Sequence, residues 1–235
     1  MLKLIRLEWK KHSIGRYIRN AGIITLILTL FLFSTAFMGM ARDPDTGVPD
    51  VADGYNSMSA PTEMFSSLVF LIFTGTMLAS FIVSAYKNKT MYLMFSYPIK
   101  RQKILVSQML AVWIFDFIAL ILAKLFIYGT LLIGQQFRKP DFPLDYNMLS
   151  PQFYLELILR SAITITISFI ALFIGMAIKS SKAVIISSFI LFFLLYGSIG
   201  GATLSHNMLF PLVLVVVSLV CAILSIITAE KKDLL

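Results

Sequence analysis

The chain contains 235 residues, of which 58% are hydrophobic and 14% charged, and its formal net charge is +8. Soluble domains are about 25% charged and about 45–50% apolar, so this composition excludes a soluble globular protein and indicates a membrane protein with several spans. The single cysteine, Cys221, lies in an apolar run, which excludes a disulfide framework and a cysteine metal site and favours a packed hydrophobic side chain.

The first twelve residues, MLKLIRLEWKKH, are predicted to form an amphipathic helix in the headgroup layer of the membrane. At about 100° per residue, Leu2, Ile5 and Trp9 fall on one face, and cations cluster beside that face. Among those cations are Arg6 and Lys10. Such a pattern is typical of a helix lying along the membrane surface, although the ordinary basic flank of a first span has a similar composition.

Six stretches of the sequence are apolar enough to cross a bilayer, for which a helix needs about 20 mostly apolar residues. The last two lie in a charge-free stretch, residues 183–229, that is too long for one crossing and contains the glycine-rich break GSIGGATLSHN. The predicted fold is therefore all-α and integral to the membrane, with six transmembrane helices and the interfacial helix in one domain, residues 1–235. Its segments are an interfacial helix at 1–19, spans at about 21–41, 64–85, 106–134, 158–178, 183–202 and 209–228, and a cytoplasmic loop at 86–103.

Lysine and arginine are distributed unevenly between the two sides of these spans, and cytoplasmic segments carry the excess of both residues. With the N-terminus inside, the inner segments hold fifteen of the 20 cations, the outer segments hold four, and Lys124 lies within a span. Both termini are therefore predicted to be cytoplasmic. The positive charge then lies along the inner face, where contact with anionic membrane lipids is favoured over nucleic-acid binding.

The spans contain no pattern typical of a membrane-embedded enzyme. The two histidines, His12 and His206, lie at predicted membrane edges and are not spaced with a glutamate as metalloprotease ligands are. The chain also lacks GxxxxGK followed by serine or threonine, the loop that cradles nucleotide phosphates. We therefore expect no catalytic residue, no metal site and no cofactor bound by this chain.

Two charged residues lie within the third predicted span, in WIFDFIALILAKLF: Asp116 and Lys124. Their separation corresponds to about 12 Å along a helix, which is too far for a comfortable direct ion pair. A carboxylate in mid-membrane is costly unless it faces protein or water, so Asp116 is expected to point inward, in a functional role or in a hydrogen bond between helices. Lys124 lies nearer the outer edge, where its side chain is expected to snorkel to the surface. Both are candidates for a translocation path.

The loop between the second and third spans, YKNKTMYLMFSYPIKRQK, combines five cations with a group of large apolar side chains. Thr90 is suited to cap a short helix, on which Met91, Met94 and Phe95 share one face. Pro98 ends this helix, because the residue before a proline avoids the helical region. A methionine- and aromatic-rich face in the cytoplasm suits a groove on a partner protein.

The stretch TMYLMFSYPIKRQKILVSQML resembles the corresponding loop of permease subunits in type-2 ABC exporters, which carry a G-T-L-x-x-L-L-x-x-P-hydrophobic-x-R-x-x-I-L run. The matching residues are Thr90, Leu93, Pro98, Arg101, Ile104 and Leu105. In that family the loop forms a coupling helix that docks on a separate ATP-binding subunit, which binds ATP and Mg. The contact residues implied here are Thr90, Met91, Tyr92, Leu93, Met94, Phe95, Tyr97, Pro98 and Arg101. Many relatives place an acid just before the motif, where this chain has a lysine-rich KNK, so any salt bridge to the ATPase should differ.

The resemblance extends over the chain, and it implies two permease copies, identical or paralogous, with two cytoplasmic ATPase subunits beneath them in a bacterial cell membrane. Span two and residues 183–229 would then line the path or the seam between the copies. The small size and the lack of large extracellular domains are most similar to exporters of amphipathic or antimicrobial peptides, including phenol-soluble modulin exporters, or to systems giving immunity to such peptides. Related permeases move drugs, ions or lipids. A non-transporting sensor, immunity or scaffold protein is the alternative from another class, and a membrane-embedded enzyme is a third.

Overall fold

The computed structural model describes residues 2–37, 58–84, 101–137, 144–199, 202–203 and 209–231. Helices dominate these residues, and α3 continues into a π-helical turn. In chain order the elements are α1 (Leu2–Lys11), α2 (Ile14–Phe37), α3 (Ser59–Leu78), the π-helical turn (Ala79–Val83), α4 (Arg101–Phe137), α5 (Pro151–Ile178), α6 (Ser181–Tyr196), β1 (Ser198–Ile199), β2 (Ala202–Thr203) and α7 (Leu209–Lys231).

Among the described residues, five helices are long and apolar enough to cross a membrane, which makes the chain a multi-pass membrane protein. A helix satisfies all its backbone hydrogen bonds internally, and this is the condition for crossing a layer that offers no water. The crossing stretches are Ile14–Phe37, Ser59–Val83, Gln102–Phe137, Pro151–Ile178 and Phe210–Thr228.

The helix α6 is shorter than the predicted fifth span, residues 183–202. Its 16 residues rise about 24 Å, whereas the hydrocarbon core is about 30 Å thick. The helix ends because Gly197 adopts an extended backbone, with its N–H donating to the Phe193 carbonyl at 2.7 Å. The strands β1 and β2 then pair antiparallel, with Ser198 opposite Thr203. The last part of the predicted span is therefore a short hairpin instead of a helix.

The break between the first two helices lies earlier than predicted. The sequence predicts an interfacial segment up to residue 19 and a first span from residue 21, but α2 already begins at Ile14. Ser13 has a left-handed backbone with a φ of 52°. The backbone N–H groups of His12 and Ser13 donate to the carbonyls of Glu8 and Lys10 at 3.0 and 3.3 Å. These bonds close the last turn of α1, so a new helix starts after only two residues.

The helices α4 and α5 extend beyond their predicted spans, 106–134 and 158–178. They contain 37 and 28 residues, which correspond to about 55 Å and about 42 Å of helix. The helix α5 starts at Pro151, a residue favoured in the first helical position because its missing N–H is not needed there. Both helices therefore exceed the thickness of the hydrocarbon layer.

The described residues pack as two compact units, and each unit draws on segments of several helices. Unit 1 comprises Met1–Ile14, Phe70–Phe117 and Ser161–Leu235, and unit 2 comprises Gly15–Val69 and Ile118–Arg160. The two charges of the third predicted span are divided between them, with Asp116 in unit 1 and Lys124 in unit 2. Each unit therefore contains one of these two buried ionisable residues.

In unit 1, α6 packs closely against α3 and α5 at two glycines. A Cβ atom on Gly75 of α3 would overlap Ser188 Oγ of α6, and one on Gly175 of α5 would overlap Val184 Cγ2 of α6. Two residues join α5 to α6, so α6 folds back along α5. The glycines therefore let helix backbones approach more closely than a side chain would permit.

In unit 2, a hydrophobic core joins α2, α3 and α4. It consists of Leu28, Leu32, Ala36, Phe37, Met58, Ile127 and Leu131, with Phe65, Val69, Leu144 and Tyr146 packed against it. The segment before α5 closes this core. Asp145 accepts hydrogen bonds from the backbone N–H and the Oγ of Ser59 at 3.2 and 2.5 Å, and Tyr146 donates to the Tyr128 carbonyl at 3.1 Å. Asp145 thus gives the start of α3 the acceptor that an N-cap side chain normally supplies.

Candidate functional site

The amphipathic helix α1 is attached to unit 1 through its apolar face. Ile5 is buried, and the indole N–H of Trp9 donates to the backbone carbonyl of Ala111 in α4 at 3.0 Å. Arg6 and Lys10 are exposed. The apolar face therefore contacts protein through these two residues, and the position of α1 in the headgroup layer stays a prediction. A partly buried indole N–H needs an acceptor, and Ala111 provides it. The side chain of the third predicted member of this face lies outside the described residues.

His12 and Phe81 join the end of α1 to the π-helical turn. Their rings stack with centroids 4.0 Å apart and planes inclined by 19°. Burial lowers the pKa of His12, and the neighbouring Lys11 lowers it further, although Glu8 Oε2 lies 3.7 Å from His12 Nε2. Desolvation outweighs this carboxylate because the two groups form no hydrogen bond. The imidazole therefore lies neutral against Phe81 near neutral pH.

Acidification is expected to weaken this contact. Because the folded-state pKa of His12 is lowered from 6.5, the unfolded state takes up a proton first as pH falls. The stacked ring therefore stabilises the fold fully above about pH 6.5, and this stability is lost as pH falls below that value. His12→Phe keeps a ring against Phe81 and removes the titration. The melting temperature of the wild-type protein should drop more on acidification than that of His12→Phe, and equal drops would contradict the expectation.

The predicted ATPase-contacting helix lies outside the described residues. This applies to Thr90, Met91, Tyr92, Leu93, Met94, Phe95, Tyr97 and Pro98. Arg101 is the first residue of α4, and its side chain is likewise not described. The two flanks of the loop, the π-helical turn and the first half of α4, belong to unit 1 together with α1. The helix α1 contacts both flanks, through Phe81 and through Ala111.

Asp116 of α4 is completely buried in unit 1, so the expected inward orientation is found. Neither carboxyl oxygen meets hydrogen-bond geometry with any of the described residues. Thr74 of α3 is the polar side chain that interacts with the Asp116 carboxyl group. The Thr74 hydroxyl itself donates a hydrogen bond to the Phe70 carbonyl at 2.8 Å. Asp116 is therefore a desolvated carboxyl group beside a hydroxyl whose proton is already in use.

Two further buried side chains of unit 1, Gln108 and Ser161, have polar atoms without a hydrogen-bond partner among the described residues. The helices that carry them, α4 and α5, meet through a hydrogen bond from Trp113 Nε1 to Thr166 Oγ1 at 3.2 Å. Unsatisfied polar groups are costly in an apolar interior. These polar side chains are buried in a membrane protein in spite of this cost, which indicates a functional role for unit 1.

Lys124 forms a buried ion pair in unit 2. Its Nζ lies 2.6 Å from Oε2 of Glu63 in α3, and the Lys124 side chain is 0% exposed. The expectation that Lys124 snorkels to the surface is therefore wrong, because a carboxylate within reach compensates its charge inside the protein. Lys124 and Asp116 thus have opposite environments: the lysine is paired, whereas neither oxygen of the aspartate has a hydrogen-bond partner among the described residues.

Glu63 is the residue that the sequence reasoning missed. It lies one residue before the predicted start of span two at residue 64 and therefore has the sequence context of a solvated flank. In the structure its side chain is only 13% exposed. A lysine inside a span needs an acidic or carbonyl partner on a neighbouring helix. Because Lys124 lies within a predicted span, this requirement indicated that a partner such as Glu63 should lie on a neighbouring helix.

Comparison with known proteins names no family for this chain. No family model and no solved structure matches it. The chain is similar to an uncharacterized protein of Bacillus subtilis (strain 168), YcbO, with 28% identity over 239 residues that cover 99% of this chain and 100% of that protein. The likeness runs from end to end of both chains and assigns no activity to either. A function must therefore be argued from the residues of the chain itself.

Proposed function

We propose that the chain is the membrane-spanning permease subunit of an ATP-driven ABC exporter, coupled through its loop at 86–103 to a separate ATPase. The observation that carries this proposal is the attachment of α1 to both flanks of the loop. Trp9 bonds to Ala111 in α4, and His12 stacks on Phe81 in the π-helical turn. The helices that enter and leave the loop are thereby tied to one element, so a force applied at the loop reaches both of them.

We also propose six crossings, with both termini in the cytoplasm. Five helices have the necessary length, and α6 would provide a shorter crossing that the β1–β2 hairpin extends. Non-helical backbone at membrane depth is tolerated where it is buried in protein or lines a water-filled cavity. An even number of crossings agrees with the basic residues at both ends of the chain.

ATP and Mg are expected on the partner ATPase, because the sequence contains no phosphate-binding loop. Two permease copies, identical or paralogous, would enclose the transport path. Of the two stretches predicted to face this path or the seam between copies, α3 is largely covered by the chain itself, with 72% of its most apolar stretch buried. The corresponding share in α7 is 22%. We therefore assign the seam to α7 in preference to α3.

The proposed substrates are amphipathic or antimicrobial peptides, either exported or removed to give immunity. Arg6 and Lys10 of α1 are exposed, and in the proposed topology they would lie at the inner leaflet, where an amphipathic peptide would accumulate. A permease for drugs, ions or lipids shares the same architecture. The test that separates them is ATP hydrolysis by the purified complex against a panel of peptides, ions and lipophilic drugs.

The double substitution Met94→Asp/Phe95→Asp is expected to abolish co-purification of the proposed partner ATPase. Two carboxylates would place unpaired charge in an apolar contact, where truncating even one central residue costs about 2 kcal/mol or more. The recovered ATPase should therefore fall by more than about tenfold. Affinity capture of the tagged permease from solubilised membranes, followed by quantification of the ATPase, measures the loss.

Lys87→Ser/Lys89→Ser is the matched control in the same loop. These cations are assigned to membrane topology, so the control should capture the ATPase as the wild-type chain does. Membrane insertion of both variants is checked by their recovery in the membrane fraction. Wild-type capture by the Met94→Asp/Phe95→Asp variant would refute the coupling assignment. Capture by the wild-type chain without any substrate-stimulated ATP hydrolysis would favour a sensor or scaffold.

A further inference from the structure

Asp116 combines complete burial with the absence of a counter-charge. It is 0% exposed, and no charged group of the described residues acts on its carboxyl. Lys124, on the same helix, is held by Glu63 at 2.6 Å. An ionised carboxylate in an apolar environment without a cation is far less stable than the neutral acid. The surroundings of Asp116 therefore select for its uncharged form.

The side chain that acts on Asp116 from α3 is Thr74, which is neutral. In α4 the preceding charged side chain, Lys103, lies about 20 Å away along the helix. The other described ionisable side chains of unit 1 are Lys3, Arg6, Glu8, Lys10, Lys11, His12, Lys179, Lys182, Tyr196 and Cys221. None of these side chains is among the groups that interact with the Asp116 carboxyl.

The hydroxyl of Thr74 distinguishes between the two forms of Asp116. A hydroxyl has a single proton to donate, and Thr74 donates it to the Phe70 carbonyl at 2.8 Å. The Thr74 oxygen can therefore only accept a further hydrogen bond. An ionised carboxylate also only accepts, whereas a protonated carboxyl can donate. Thr74 therefore offers no hydrogen bond to an ionised Asp116, in agreement with the lack of a hydrogen-bond partner at either carboxyl oxygen among the described residues.

We propose that Asp116 is a proton-binding site, a neutral carboxylic acid that is completely buried inside unit 1 and has no hydrogen-bond partner among the described residues. A hard metal cation would need several oxygen ligands around it, and the described residues contain no group of three or more histidine, cysteine, aspartate or glutamate side chains that could hold one. The ligand proposed for this site is therefore a proton. This site goes beyond ATP-driven export, because it depends on neither the ATPase nor the exported substrate.

The proposed site links the hydration of unit 1 to its charge. While unit 1 is closed, Asp116 keeps its proton, because an ion would be stranded in an apolar interior. Any state in which water reaches Asp116 stabilises the carboxylate and allows the proton to leave. Opening of unit 1 would therefore be accompanied by proton release, and closing by proton uptake.

Infrared spectroscopy of the full chain in lipid at about pH 7 tests the proposal, since a solvated aspartate is fully ionised there. The C=O stretch of a protonated carboxyl lies at higher frequency than the bands of carboxylates and amides. We expect such a band in the wild-type protein and its complete loss in Asp116→Asn, a neutral residue of similar size. Glu63→Gln is the matched control and should leave the band unchanged, because Glu63 is ion-paired with Lys124.

A second measurement needs no substitution and therefore does not depend on the folding of a variant. Aspartate labelled with ¹³C at its side-chain carboxyl should shift the band of the wild-type protein to lower frequency. Asp116 is the only aspartate within the predicted spans, so a shifted band belongs to it. Absence of the band at neutral pH, or a band that the label does not move, would mean that Asp116 is ionised and would overturn the proposal.

Discussion

Replacing Lys124 with methionine is expected to lower the free energy of unfolding by about 3–5 kcal/mol, the cost of removing one partner from a buried ion pair. Methionine retains an unbranched apolar stem but removes the charge that lies 2.6 Å from Glu63 Oε2. Glu63 would then lose this close cation, in a position only 13% exposed. Unfolding of the detergent-solubilised protein with increasing dodecyl sulfate, followed by circular dichroism, measures the change.

The double substitution Lys124→Met/Glu63→Met separates the ion pair from simple packing. Replacing both partners of a buried pair with apolar residues of similar volume is often close to neutral, so the double variant should regain most of the lost stability. Glu156→Gln is the surface control, because Glu156 lies 3.9 Å from Arg160 and both side chains are exposed. Its effect should be below about 1 kcal/mol. A Lys124→Met variant as stable as this control would contradict the buried pair.

Gly75→Ala is expected to destabilise the protein by about 1–3 kcal/mol, the usual range for overpacking a close contact. The new Cβ would overlap Ser188 Oγ and lie 3.1 Å from Ser188 Cβ, so α3 and α6 would be forced apart. The Ser188 hydroxyl is held in place by its hydrogen bond to the Val184 carbonyl at 2.9 Å. This loss of stability would be opposite in sign to the effect of helix propensity, because alanine is favoured over glycine in a helix by about 1 kcal/mol.

Gly129→Ala is the matched control, since nothing lies within 4 Å of a Cβ at that position. This variant should be neutral or slightly more stable. Adding Ser188→Ala to Gly75→Ala removes the overlapping oxygen and should restore most of the stability, which ties the loss to this one contact. The same dodecyl sulfate titration serves for all three variants. Equal stabilities of Gly75→Ala and Gly129→Ala would show that α3 and α6 do not approach closely at Gly75.

The long helices were predictable from the sequence, because an uncharged run of about 20 apolar residues has few alternatives to a transmembrane helix. The length of α6 was not. The stretch 183–229 contains no charge that would mark a boundary, and the helix stops at Tyr196 because Gly197 takes an extended backbone. Glycine permits this conformation but does not demand it. The pairing of Ser198 with Thr203 accounts for the rest of the difference.

The candidate site was predictable from the sequence where a charged residue lies within an apolar stretch. Asp116 is an acid in an apolar run, so its inward orientation followed from the cost of desolvation. Glu63 lies at the edge of a span, and Trp9 lies on an amphipathic face that looks the same whether it contacts lipid or protein. Their partners, Lys124 and Ala111, are 61 and 102 residues away along the chain. Such pairings depend on how whole helices pack, which local patterns do not encode.

The π-helical turn, Ala79–Val83, sets the angular phase of the residues that follow it. Its closing bond runs from the Ser84 N–H to the Ala79 carbonyl, which places one residue more in the turn than an α-helix would hold. Ser84, the last described residue before the loop, is thereby rotated by about 100° around the helix axis and faces a side of the helix that its neighbour would otherwise occupy. A single inserted residue thus changes the direction in which this membrane span presents its final side chain.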